Sequence, residues 1–224
     1  MTVAADPCGG PLEAMRLRVA LREVMPTPWR RLEIASAATL ADLHAAIQAM
    51  MGWEDLHLHG FRILGRRYDP EYADLGRVRL ADLRLRRGER FTYEYNLSIP
   101  WLHEIRVEAI GPGVAGRRYP RCTDGRHAAP PEWCPGPEAL DEMRADLLGL
   151  SYVEDLRLMA EFGRAVLDMR NGRVRDVLHI VGADDLRRAL ARHERRQALT
   201  APFDRHGANT ALGQLAMQDR GAGS

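Results

Sequence analysis

The sequence predicts an α+β protein: a β-grasp-like mixed sheet packed on one helix, with a helical extension behind it. Three observations carry this. Apolar and charged residues alternate from Met15, the two-residue period of a half-buried strand. Between Thr39 and Met51 the period becomes that of a helix, and after Trp53 it returns to two. From Glu138 onward the spacing is helical again.

The elements follow in order. Met15, Leu17, Val19 and Leu21 share a face opposite Arg16, Arg18 and Arg22. Pro26 and Pro28 turn the chain into a second strand, with Leu32 and Ile34 inward and Arg31 and Glu33 outward. The helix begins at Thr39, where Asp42 three residues on makes an imperfect capping box. Leu40, Leu43, Ile47 and Met50 form its apolar stripe, and Gly52 stands where a C-terminal cap belongs. His57, His59, Phe61 and Ile63 share one strand parity. Val78, Leu80 and Leu83 suggest a short strand or turn. Phe91, Tyr93, Tyr95 and Leu97 share the next parity, and His103, Ile105, Val107 and Ala109 the last. The order strand, strand, helix, strand, short strand, strand is that of a β-grasp with one strand added.

Residues 111–137 are rich in proline and glycine and read as an ordered loop. Two helices follow, the second over Val153 to about Asp168. Asn171-Gly172 then breaks the chain, as a helix cap or as the turn of a hairpin, with the cap favoured. A last Arg-rich helix spans about Asp184 to Gln197. The domain expectations are a disordered tail over 1–14, an α+β domain over 15–148, a helical extension over 149–199 and a flexible tail over 200–224.

Composition narrows the function classes. The chain has 224 residues and a formal net charge of +1, so no whole-chain field draws it to nucleic acid or an anionic membrane. Every positive side chain is arginine, which fits a GC-rich coding bias. Three cysteines are too few for a disulfide scaffold and suit a reducing, cytoplasmic compartment. Met1–Gly10 does not read as a signal peptide, and no apolar run approaches the roughly 20 residues of a membrane span.

Several phrases together resemble a known family. They are Pro28-Trp29-Arg30-Arg31, Leu40-Ala41-Asp42-Leu43-His44 with Ile47-Gln48, Gly52-Trp53, His57-Leu58-His59-Gly60-Phe61, Tyr93-Glu94-Tyr95, Trp101-Leu102-His103-Glu104, Tyr119-Pro120-Arg121-Cys122 and Pro130-Pro131-Glu132. The sequence resembles the plasmid PRiA ORF-three-like family over about residues 15–148. That resemblance implies an α+β domain often carried on mobile elements, with no established activity. Asn96 and Ile99 stand where the family usually has aspartates, Trp133 stands where it has an acidic residue, and Pro135 replaces a glycine. If the family used those carboxylates for metal or general-base chemistry, this chain has lost them.

His57 and His59, two apart on a strand, share a face, and His103 has the same relation to Ile105 and Val107. With His44 at the edge of the helical stripe, several imidazoles are placed to converge. Three neutral imidazoles suit a zinc-like divalent metal with one position open to water. The plainer reading is core histidines beside Trp53 and Trp101, with no cofactor. Cys122, Cys134 and His127 are a weak zinc candidate, since their spacing is wide. Trp29 and Arg30 are candidate binding residues for a partner on an exposed aromatic-guanidinium surface, as are His44, Trp53 and Trp101 around the pocket. Arg187, Arg188, Arg192, Arg195 and Arg196 are a candidate phosphate-contacting face, diluted by Asp184, Asp185 and Glu194. The leading expectation is a non-catalytic interaction module that binds a protein partner or itself. A metal-dependent hydrolase or nuclease and a nucleic-acid accessory protein are the alternatives.

Overall fold

The structure is a computed structural model and describes residues 13–221, apart from 72, 150, 174 and 178–180. Most of the stretch read as an N-terminal tail lies outside the described residues. Residues 13–14 already belong to the first strand.

The chain divides into two units, 1–137 with 202–224, and 138–201. The first unit holds one seven-stranded sheet in the order β4-β3-β5-β6-β1-β2-β7. Its strands are β1 (Glu13–Leu21), β2 (Trp29–Ala35), β3 (His59–Ile63), β4 (Arg66–Tyr68), β5 (Arg90–Tyr95), β6 (Trp101–Pro112) and β7 (Arg121–Arg126). Helix α1 (Leu40–Met51) follows β2, as the spacing predicts. The α+β class and the hairpin–helix–strand order are therefore those read from the sequence.

The sheet differs from the mixed one expected. All its pairings are antiparallel, whereas a β-grasp sets its first strand parallel to a later one. The cause is the added strand. β6 returns from β5 as an antiparallel neighbour, and it is β6, now reversed, that lies against β1.

One further element resolves between its alternatives, and two depart from expectation. Of the short strand or turn expected around Val78–Leu83, the turn is formed: a single bridge, Thr39 to Arg79, and a short 3-10 turn at Ala81–Leu83. The loop over 111–137 contains β7, which pairs with β2 at the sheet edge. The stretch read as a flexible C-terminal tail contains α5 (Arg205–Gly221), which buries Ala208 and Leu212. Asn209 on α5 gives its amide to the Cys122 carbonyl at 2.9 Å and accepts from the Cys122 N–H at 2.9 Å. One side chain thus satisfies both backbone groups of an edge-strand residue, and the helix covers an edge open to pairing.

The core lies on one sheet face. Leu17, Val19 and Leu21 of β1, Leu32 and Ile34 of β2, Tyr93 of β5, and Ile105 and Val107 of β6 are buried there with Leu43 and Ile47 of α1. At the start of α1, Thr39 accepts from the Asp42 N–H and the Asp42 carboxylate accepts from the Thr39 N–H at 2.7 Å. The capping box therefore closes with aspartate. Gly52 ends the helix in the left-handed region, φ +74, and returns its N–H to the Gln48 carbonyl.

Gly125 of β7 marks a close approach. A Cβ built there would lie 2.5 Å from the Phe203 ring and 2.9 Å from the Trp29 carbonyl oxygen. The ring can shift, but the backbone oxygen cannot without disturbing the β2–β7 ladder. Gly125→Ala is expected to lower stability by roughly 1–3 kcal/mol, the usual cost of overpacking, read from the urea midpoint. A midpoint equal to wild type would remove this constraint.

The second unit contains α2 (Pro137–Leu148), α3 (Ser151–Arg170) and α4 (Ala183–Thr200), with Pro137 itself in the first. Asn171-Gly172 caps α3, Gly172 being left-handed at φ +73 with its N–H returned to Met169, so the hairpin alternative is not formed. The remainder of its proposed second arm falls partly outside the described residues. Buried Asp155 of α3 accepts from Arg192 of α4, which holds its carboxyl below the usual range. Arg196 stacks on Tyr152 at 3.9 Å.

Candidate functional site

The structure separates the three strand histidines. His103 on β6 is fully buried, with Nδ1 at 3.0 Å from the Trp101 carbonyl and its ring edge-on to Trp53. Burial pushes its pKa down to about 4. His57 precedes β3 and packs edge-on against Tyr95. His59 opens β3 and stacks instead on His44 of α1, ring centroids 3.5 Å apart and planes 6° from parallel.

Asp55 completes that cluster. Its Oδ1 lies 3.1 Å from His44 Nε2 and 4.0 Å from His59 Nδ1. One ligating atom from each of the three residues falls within 4.8 Å of the others. Apart from this contact with Asp55, the buried His44 Nε2 has no partner among the described residues. The other nitrogen, Nδ1, is 2.8 Å from the Tyr93 hydroxyl, which also accepts from Gln48 Nε2 at 2.9 Å.

The environment sets the charge state. Burial pushes His44 down, against the opposing pull of Asp55. His59 falls to about 4, through burial first and the neighbouring His44 second. Both imidazoles are therefore neutral at pH 7. The Tyr93 hydroxyl is raised well above its usual value by burial, so it stays protonated. An open cleft of about 640 Å³ lies against His44 and His59, bordered by Ala41, Pro70, Glu71 and Asp74.

The other sequence candidates lie elsewhere. Arg30 does not form an exposed surface with Trp29. It points into the core, 2% exposed, and donates to the carbonyls of Met50, Trp29, Arg126 and His127. The Phe203 ring covers it at 3.8 Å. Trp29 is half-buried, with the Arg18 and Arg31 guanidinium groups 5.0 and 5.3 Å from its centroid. Trp53 and Trp101 are buried, and Trp53 stacks on Tyr95 at 4.9 Å.

Cys122 and Cys134 are buried thiols that donate weakly to the Asp124 and Gly136 carbonyls. They form no ligating group with His127 among the described residues. On α4, Arg187, Arg188 and Arg192 are paired with Asp184, Asp185 and Asp155.

Sequence reasoning missed Asp55. It lies in a short loop between α1 and β3 and belongs to no spacing pattern. The available signal was its place four residues before His59 and three after the α1 cap at Gly52.

The sequence model of a family described as "Plasmid pRiA4b ORF-3-like protein" matches residues 13–163. The chain is 29% identical over 191 residues to the "Uncharacterized protein y4hQ" of Sinorhizobium fredii (strain NBRC 101917 / NGR234), covering 82% of this chain and 97% of that one. It is also similar to a crystal structure titled as a protein of unknown function, MM3350 from Methanosarcina mazei Go1. That likeness has a TM-score of 0.55 and 31% identity, over 61% of this chain and 82% of the other.

Proposed function

The chain belongs to the plasmid pRiA4b ORF-3-like family, and on the geometry of its first unit we propose that it binds a divalent transition-metal ion at His44, Asp55 and His59. The observation that carries the reading is the His44–His59 stack with the Asp55 carboxylate beside both rings.

The donor set suits such an ion. Neutral imidazole binds zinc and its first-row neighbours, and one carboxylate adds the charge that holds them. In the tautomer that gives Nδ1–H to the Tyr93 hydroxyl, His44 presents the Nε2 lone pair, and Tyr93 with Gln48 fixes the ring from behind. The rings lie nearly parallel, 3.5 Å apart, so sharing one ion in both ring planes requires one of them to turn, and His59 borders the cleft. Three protein ligands leave positions toward the cleft for water, the arrangement that supports Lewis-acid hydrolysis.

None of Asn96, Ile99 and Trp133, the positions that depart from the family pattern, belongs to this set. Their lost carboxylates therefore do not remove it. The charge on the opposite sheet face is largely internal, Arg16 with Glu33, Arg31 with Glu108, and Arg22 and Arg90 with Glu104. This gives nucleic-acid binding less support than metal binding.

The test is calorimetric titration of chelator-treated protein with zinc at pH 7. One ion per chain is expected, with His59→Ala and His44→Ala each weakening affinity by more than the roughly 10–100-fold typical of losing a partner behind a ligand. No binding by wild type, or equal binding by both variants, overturns the reading.

A further inference from the structure

The loop that delivers Asp55 is held by side chains rather than by regular backbone pairing. Asp55 itself sits in the left-handed region, φ +59, which aspartate tolerates better than most residues but which still costs free energy. Glu132 lies beyond β7 in sequence and reaches back to this loop. Its carboxylate accepts from the Glu54 N–H at 2.5 Å and from the Leu56 N–H at 3.0 Å, the residues on either side of Asp55. The Asp55 N–H goes to Gln48 Oε1 at 3.3 Å. Three consecutive amides are thus tied to two side chains.

The ties continue outward. Tyr95 donates its hydroxyl hydrogen to Glu132 and accepts from the His57 N–H at 3.2 Å. Trp53, two residues before Asp55, donates its indole N–H to the Pro130 carbonyl at 2.8 Å. The segment 130–132 and the segment 53–57 therefore hold each other at both ends. Burial would raise the Glu132 carboxyl, but the Tyr95 hydroxyl and the two amides outweigh it and hold the carboxyl below its usual range. It is an anion at pH 7, with three hydrogen bonds converging on it. Its charge is spent on the loop, and its oxygens are not among the ligating group formed by His44, Asp55 and His59.

From this geometry we infer that Glu132 is a positioning residue for the metal site, fixing the left-handed turn that presents the Asp55 carboxylate to the two imidazoles. The inference rests on the metal reading above. It adds that affinity depends on a residue 77 positions away in sequence that never touches the ion. Partners behind the ligands typically change metal affinity by 10–100-fold.

The experiment uses the full chain and cobalt(II), whose visible bands report its ligand set. Wild type, Glu132→Gln, Glu132→Ala, Tyr95→Phe and His59→Ala are titrated at pH 7, with far-UV circular dichroism confirming the fold. Glu132→Gln is expected to weaken cobalt binding about 10-fold and Glu132→Ala more, with band positions unchanged because the ligands remain. Tyr95→Phe should fall between wild type and Glu132→Gln. His59→Ala should lose the bands. If Glu132→Ala fails to fold, Glu132→Gln decides alone. Wild-type affinity in Glu132→Gln, alongside loss in His59→Ala, overturns the positioning role and leaves the metal site standing. No cobalt binding by wild type overturns both.

Discussion

Replacing Arg30 with methionine is expected to cost the protein about 3–5 kcal/mol of stability, visible as a large fall in the urea midpoint. Among the described residues the buried guanidinium has no carboxylate partner, and burial lowers its pKa to about 10, with partial compensation from Cys122. What holds it is a set of carbonyl oxygens. The Met50 carbonyl lies in the last turn of α1, where unpaired carbonyls and the helix dipole favour a cation. The Arg126 and His127 carbonyls close the end of β7, and the Trp29 carbonyl belongs to β2. A planar fork of donors thus ties a helix end to two strands. Methionine fills much of the volume but leaves those carbonyls without donors, each a penalty of roughly 1–3 kcal/mol when buried. Arg30→Lys is expected to recover less than half the loss, since one ammonium cannot span the same acceptors. A methionine variant within about 1 kcal/mol of wild type would show that the acceptors find other partners.

The second large effect is expected in acid. His103 is neutral in the folded protein with its pKa near 4, while the unfolded chain has the ordinary value of 6.5. A depressed pKa makes the unfolded state the stronger proton binder, so the contribution is fully present above pH 6.5. It is lost as pH falls through that window toward 4. For His103 the loss is about 3 kcal/mol. His59 adds to it in the same direction, less so because it borders the cleft. Urea unfolding of metal-free protein at pH 7 and pH 4 measures the drop. His103→Phe should make it smaller, although the variant starts lower at pH 7 for want of the contact with the Trp101 carbonyl. An unchanged drop in that variant would assign the acid sensitivity to other groups.

These two residues also show what the sequence made legible. The alternation along β1 and β2 and the caps of α1 are local signals, and local physics decided them. Arg30 shares parity with the inward Leu32 and Ile34, so the period alone placed it in the core. Its charge argued the other way, because carbonyl acceptors 20 to 97 residues off are invisible to a periodic reading. β7 was missed for a related reason. Arg121–Arg126 is polar and glycine-containing, and it becomes a strand because β2 offers an edge and α5 covers it. Among its described side chains, helix α5 buries Ala208 and Leu212, too sparse a stripe to register. His44 and His59 were both identified as candidates, but the grouping was not. Parity joined His59 to His57 and His103, while the fold joined it to a helix and to a loop aspartate.

The placement of α5 has a consequence for synthesis. The sheet's last strand and the buried Arg30 are complete in sequence by His127, yet Phe203 and Asn209, which cover them, emerge only after the whole second unit, Glu138–Ala201, has been made. Until they are made, a β7 edge has no such cover, and an uncovered edge is open to pairing with another strand. The second unit thus separates the strand from its cover by the 64 residues of Glu138–Ala201. A chain cut short within it lacks the helix whose Asn209 satisfies Cys122 on that edge.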